Sequence, residues 1–397
     1  MADNRRETWI TGVGIVSSLG EGPDAHWQRL NEAKPTVDAK TFAPYIVHPL
    51  APIDFDKQIP KKGDQRQMEP WHRIGTYAAG LALDSAGAKG NPELLARMDM
   101  IVAAGGGERD FAADGLILTG LSKSGKPDLF LNERLMNDLR PTLFLAQLSN
   151  LLAGNISIVH GVTGSSRTFM GEEAAGIDAV RIALARIAAG QSDITLVGGA
   201  YNGERKDMLM LYEFGGYALK DEFRPVWDRG PTGGFASGSL GAFLVLEARE
   251  HAEARAAKPM ARLSAVLSER SDRHSGAVTT GLQNMWQQIA GELDPAQAAF
   301  ISGATGAEPA TGEERAFLSN HAELAVRATG THIGHGPEPQ FVINIAFAAL
   351  AVSKGLLFSA CDGTGFEQAM QRPLAQVVVT GIGHWRGEGL GLVEAIH

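Results

Sequence analysis

Four short stretches hold residues able to do chemistry. In Thr168-Phe169-Met170-Gly171-Glu172-Glu173 an apolar strand breaks at a Gly-Glu-Glu turn and a long helix begins. Such a junction holds one side chain at a helix N-terminus, where free backbone N–H groups and the helix dipole favour an anion. That side chain is Glu173, which as a plain anionic cap adds roughly 0.3 to 1 kcal/mol, and up to about 2 when partly buried. The pair His332 and His335 has ligand-like spacing, but no third Cys, His or carboxylate follows at a recognisable distance, so no metal is expected. Gly12-Val13-Gly14 follows a strand as a dinucleotide loop would, yet the third Gly and the later acidic residue are missing, and no cofactor is expected. The single cysteine, Cys361, excludes an internal disulfide and reads as a small packing residue.

The elements that must position these residues alternate. Glu7–Thr11, Met98–Ala104, Ser166–Met170 and Ala242–Glu247 read as strands, with helices over Arg73–Ala86, up to about Leu152, from the Gly-Glu-Glu turn to Gly190, and over Ala248–Ala257. Thr36–Gln67 reads as a surface excursion and Asp110–Pro141 as an insertion. The rhythm then repeats: strands at Ala261–Leu267, Ala298–Ser302, Leu324–Ala328 and near Val377 and Leu392, with helices near Thr280–Gly291, Gly312–Asn320 and Gln340–Lys354. Two copies of one αβ rhythm point to a duplicated core, with halves at 1–258 and 259–397. The helix Phe341–Val352 is apolar almost all round, as a helix sandwiched between sheets must be.

At 397 residues, 44% apolar and 20% charged, the composition is that of an ordinary globular protein. The net charge of −9, without a basic cluster, speaks against nucleic acid as a partner. No apolar run is long enough to span a bilayer and no signal-peptide core is present, so a cytoplasmic protein without membrane contact is expected.

From Leu148-Ser149-Asn150 through Ala153-Gly154-Asn155 to Glu173-Ala174-Ala175-Gly176, the sequence resembles the nucleophile segment of elongating β-ketoacyl-(acyl-carrier-protein) synthases. The opening Gly12-Val13-Gly14-Ile15-Val16-Ser17-Ser18-Leu19-Gly20 and the run Phe223–Pro259 resemble the same family. The resemblance implies a thiolase-like α/β fold, a five-layer αβαβα sandwich of duplicated halves, with the insertion at about 110–141 capping an acyl pocket and shaping a dimer. It also implies three catalytic positions. Glu173 stands where the family has its acyl-accepting Cys, Ser302 where it has a first His, and His335 retains the second His, while Gly330 replaces a supporting Lys. The family's oxyanion and gating loop corresponds to Ile382-Gly383-His384, placed here as substrate-binding. His332-Ile333-Gly334-His335 also spells a signature of class I aminoacyl-tRNA synthetases, but it lies near the end of the chain and lacks the Lys-rich partner loop.

A carboxylate attacking a thioester would form a mixed anhydride, a poor store for an acyl group, so elongation through Glu173 is not expected. Three readings follow from the resemblance. The first is a non-elongating subunit of fatty-acid or polyketide-type chain assembly, acting with acyl carrier protein as a homodimer or beside a Cys-containing paralogue. The second is a malonyl-carrier decarboxylase using His335 and the 382–384 loop. The third is a non-catalytic module that binds acyl groups or their carrier.

Overall fold

The computed structural model describes residues 6–139, 147–370 and 372–396. Ten long strands carry the fold: β1 Thr8–Ser17, β2 Asp99–Ala103, β3 Ser166–Phe169, β4 Ile194–Tyr201, β5 Leu240–Ala248, β6 Ala261–Glu269, β7 Ala298–Ser302, β8 Ala325–Ala328, β9 Gln376–Ile382 and β10 Glu388–Glu394. With the short strand Gly20–Glu21 paired to β1, they form one eleven-stranded sheet in the order β8-β7-β9-β10-β6-β1-β5-β4-β2-β3. Read outward from the β1–β6 junction, each five-strand half has the same order, with its first strand innermost and its third at the edge. The pairing senses repeat as well: β2 lies parallel to β3 and β4, and β7 parallel to β8 and β9. The halves meet through an antiparallel pairing at Trp9–Arg262 and Ile10–Ala261.

Six helices complete the layers: α1 Pro70–Ser85, α2 Leu151–His160, α3 Glu172–Ala188, α4 Ala277–Ile289, α5 Ala310–Ser319 and α6 Gln340–Lys354. In α6 every residue from Gln340 to Val352 is buried. It packs with α3 in a core shared by both halves of the sheet, including Ile177, Val180, Phe341, Ile345 and Phe347. Helices α1 and α2 close one outer face over Ile74, Leu83 and Phe243. On the other face α4 and α5 cover Met285, Phe300 and Phe317. The succession of helix, sheet, helix, sheet, helix is the five-layer arrangement expected from the sequence. Among the described residues no helix is long and apolar enough to cross a membrane.

Three local expectations are corrected. Gly12 and Gly14 do not form a turn: they lie inside β1, where a Cβ on Gly14 would come within 2.0 Å of the Ala78 carbonyl oxygen of α1. Their spacing serves helix-on-sheet contact. The apolar run Leu151–Val159 begins a helix at Leu151 instead of ending one near Leu152, and Gly161, with φ of 78°, caps it. The 36–67 excursion dips into the core at Ile46, Val47 and His48, where Val47–His48 pairs with Ser237–Gly238.

The insertion expected at about 110–141 forms two helices, Phe111–Leu121 and Pro127–Asn137. They approach closely because Gly120 leaves room for the Phe130 ring. Leu116, Leu118, Leu129 and Met136 remain exposed on them. The end of the insertion, residues 140 and 141, lies outside the described residues.

Candidate active site

At the junction of β3 and α3 the chain turns through Gly171, with φ of 129°, and Glu172, with φ of 47°. A left-handed conformation at a non-glycine residue costs roughly 1 kcal/mol and tends to mark functional turns. Here it sends Glu173 inward at the start of α3, where the side chain is 4% exposed. Gly176, one turn on, lets α3 rest on the next loop: a Cβ there would lie 2.3 Å from the Glu338 carbonyl oxygen.

Two imidazoles meet Glu173 from elsewhere in the chain. His335 precedes α6, its backbone tied to the strand Ser237–Gly238 by N–H to Ala236 carbonyl (2.8 Å) and Gly238 N–H to its own carbonyl (2.9 Å). His384 sits in the hairpin between β9 and β10. One oxygen, Glu173 Oε1, accepts from His335 Nε2 at 2.8 Å and from His384 Nδ1 at 2.7 Å. With His384 Nδ1 donating, its Nε2 accepts from the Thr305 hydroxyl at 3.0 Å. Aromatic rings close the cluster: Phe235 lies 4.9 Å from the His335 ring and 5.0 Å from that of His384, and Tyr217 lies 5.1 Å from His384.

Burial opposes ionisation of Glu173, but the neighbouring His384 and His335 outweigh it and hold the carboxyl well below the usual carboxylate range. Burial also holds His335 below its ordinary value, although Glu173 pulls the other way. The arrangement is therefore an ionised carboxylate fastened by two N–H donors. Glu173 Oε2 and His335 Nδ1 are left buried without hydrogen-bond partners.

The three donor groups lie within 4.8 Å of one another and are the candidate cation ligands among the described residues. Oε1 already stands at hydrogen-bond length from both imidazole nitrogens, so the cluster is held together without a cation. A metal would have to separate these pairs to enter.

The other predicted positions divide. Gly383 borders the cluster, since a Cβ there would come within 3.2 Å of Glu173 Oε2. Its N–H, however, donates to Gly387 carbonyl at 2.7 Å, and Ile382 is the last residue of β9, paired with Glu388. Ser302 is not brought to the cluster: fully buried at the end of β7, it donates to Glu314 at 2.7 Å, as Thr380 also does. Thr305, three residues on, reaches His384 in its place. Burial pushes the Glu314 carboxyl up to about 7, the hydroxyls of Ser302 and Thr380 countering only part of the effect. Cys361 is half-buried beside the Ala33 carbonyl, and burial raises its thiol to about 11. It is no nucleophile for this site.

Sequence reasoning passed over Thr305, Phe235 and Arg229. Arg229 is a buried guanidinium that donates to the carbonyls of Arg224 (2.8 Å), Gly234 (3.0 Å) and Thr305 (2.5 Å), so it ties the Phe235 segment to the Thr305 loop. The Arg-Pro and Gly-Phe signals at 224–225 and 234–235 bracket it and are the clue the sequence offered.

Known proteins share the family signature and the fold. The family described as "Beta-ketoacyl synthase, N-terminal domain" matches residues 5–252. The 3-oxoacyl-[acyl-carrier-protein] synthase 2 of Vibrio harveyi is 28% identical over 274 residues, covering 66% of this chain and 62% of that protein. The matched region thus spans about three fifths of that relative's length. Two solved structures share the fold at 18% identity, each covering 99% of this chain and 100% of the other. They are the ishigamide ketosynthase/chain length factor, with a TM-score of 0.77, and a type II polyketide synthase ketosynthase in complex with its acyl-carrier protein, with a TM-score of 0.76.

Proposed function

Because this chain belongs to the β-ketoacyl synthase family, we propose that it is a non-elongating subunit of fatty-acid or polyketide-type chain assembly, working in a dimer with a Cys-containing paralogue and served by acyl carrier protein. The observation that carries the reading is the state of Glu173. The family's chemistry needs a thiolate at this position, and the chain supplies a carboxylate, one oxygen of which is held by His335 and His384 and which would give an acyl group only as a labile mixed anhydride. A carboxylate so fastened stores no acyl group, and its charge holds the two imidazoles in place.

The surface supports a dimer. Strand β3 is one of the two edges of the sheet, paired among the described residues with β2 alone, and Ser166, Arg167 and Thr168 lead to the exposed Met170. Ile158, Met210 and Phe214 are exposed as well, Phe214 at 83%. An unpaired edge strand and exposed apolar side chains are the features of a surface that pairs with another chain. We read residues 1–258 and 259–397 as the two repeats of the subunit.

Decarboxylation is less well supported. His335 Nε2 is committed to Glu173, and the Gly383 N–H that an oxyanion would need is spent within its own hairpin.

The test is to incubate the purified chain with acyl and malonyl carrier protein, alone and with a Cys-bearing homologue, and to weigh the carrier species by intact mass spectrometry. The chain alone should give neither a longer product nor acetyl carrier, while the mixture should alter the length of the products made by the homologue. Elongation by the chain alone would overturn the proposal, and conversion of malonyl to acetyl carrier that is lost in His335→Ala would restore the decarboxylase reading.

A further inference from the structure

The loop that brings His335 to Glu173 continues through Gly336 and Pro337 to Glu338, two residues before α6. This carboxyl is 6% exposed and plays no part in the cluster. It projects under the end of β2, where Gly105 has no side chain to obstruct it: a Cβ on Gly105 would lie 2.4 Å from Glu338 Oε1. Glu338 Oε2 is buried and has no hydrogen-bond partner.

Two cavities share this carboxyl in their walls. One, of about 340 Å³, has largely apolar sides built from Met170, Met208, Leu211, Pro337 and Trp385, with Glu172 and Tyr212 also in its wall. The other, of about 80 Å³, lies on the side of Tyr201, Asn202 and Arg205. Arg205, whose charge acts on Glu338 through space, is itself held by Asp207 at 2.6 Å and by the Gly107 carbonyl at 3.1 Å. Asn202 is likewise engaged, with Glu108. Burial, with the nearby charges of Glu173 and Glu172, raises Glu338 to about 7, so near neutral pH it exists in both forms.

A buried polar atom without a partner, set in the wall of a largely apolar cavity, is a group that a ligand's polar substituent can satisfy, and a few such groups orient ligands in apolar pockets. Methionine, leucine and tryptophan walls suit a hydrocarbon chain, and one unpartnered carboxyl oxygen suits one polar substituent on it. A hydroxyl can donate to the carboxylate or accept from the acid, and a keto oxygen can accept from the acid.

We propose that the cavity lined by Trp385, Leu211 and Glu338 binds an acyl chain carrying an oxygen substituent, hydroxyl or keto, and that Glu338 selects such chains over unsubstituted alkyl chains. The inference rests on the acyl-handling role proposed above and names the class of chain the subunit accepts. A site built to hydrogen-bond a substituent discriminates against the analogue lacking it, because the buried group is then left unpaired.

The experiment measures binding of octanoyl-pantetheine and 3-hydroxyoctanoyl-pantetheine to the full chain by calorimetry, for the wild type, Glu338→Gln and Glu338→Leu. The wild type should bind the hydroxylated chain about tenfold more tightly, the size expected of one hydrogen bond to a buried group. Glu338→Gln, nearly isosteric and able to donate and accept, should keep the preference. Glu338→Leu should lose it while binding the alkyl chain at least as well, which also shows that the variant is folded. Equal binding of the two chains by the wild type, binding of neither, or a preference that survives in Glu338→Leu would overturn the inference. The subunit role is judged separately, by product length in the mixture with a Cys-bearing synthase, so the two can fail independently.

Discussion

Glu173 is the hub of the buried cluster, because one oxygen serves two imidazoles that reach it from residues 335 and 384. Removing the carboxylate leaves two buried N–H donors without their acceptor, and each buried donor left unsatisfied costs roughly 1 to 3 kcal/mol. Glu173→Ala should therefore lower the unfolding free energy by about 3 kcal/mol. Glu173→Gln, whose amide oxygen can still accept both N–H groups, should cost about 1. Urea unfolding followed by far-UV circular dichroism distinguishes the two; equal costs would mean that the imidazoles do not depend on the acceptor. The pH dependence has a definite sign. The folded-state value of Glu173 lies below its ordinary 4.5, so its contribution is complete above that value and is lost as the pH falls below it. Glu173→Gln should flatten that acid limb. Glu173 could be found from the sequence because the Gly-Glu-Glu turn and its helix are local. His384 was expected to line a substrate loop, and its attachment to Glu173 could not be read, since 211 residues separate them.

Helix α3 works as a positioning element, and glycine sets its position. Gly176 lets α3 lie on the Glu338 carbonyl, and Gly14 lets β1 lie under α1. A methyl group at 176 cannot be housed without moving backbone, so Gly176→Ala should destabilise the fold by about 2 kcal/mol or more and shift Glu173 away from His335. Histidine NMR shifts recorded with and without the substitution test this: unchanged ring signals would show that the contact does not position the cluster. Most elements were legible from hydrophobic periodicity, and α6 was found at its observed bounds because a fully buried helix is apolar on every face. The errors fall where one residue type serves two purposes. Glycine at 12 and 14 signals a loop in sequence but here permits close packing inside a strand. The helix expected to end at about Leu152 instead begins at Leu151 and runs to His160.

At the scale of the molecule, the repeated five-strand order makes one continuous sheet with two edge strands, β8 and β3. If the β3 edge joins a second chain, a charge beside it should weaken association without disturbing the core. Ile158 on α2 is 71% exposed, and Ile158→Lys should shift the mass measured by light scattering from dimer toward monomer while leaving the melting temperature of the monomer within about 2 °C. An unchanged dimer mass would place the interface elsewhere. Because the β3 edge and the Glu338 cavity share the segment around Met170, a partner docked on β3 would also border the mouth of that cavity.

By itself the sequence determined the α/β class, the repeat of strand and helix, the family resemblance and the presence of Glu173 at the start of a helix, because these depend on local periodicity and on residue identity in continuous segments. Tertiary structure alone decided which groups meet. It joined Glu173 to His335 and His384, put Thr305 rather than Ser302 against the cluster, and placed an unpartnered Glu338 in the wall of a largely apolar cavity. Such contacts arise where distant loops converge at the ends of strands, and their partners are set by how α3, α6 and the β9–β10 hairpin pack, which no spacing along the chain records.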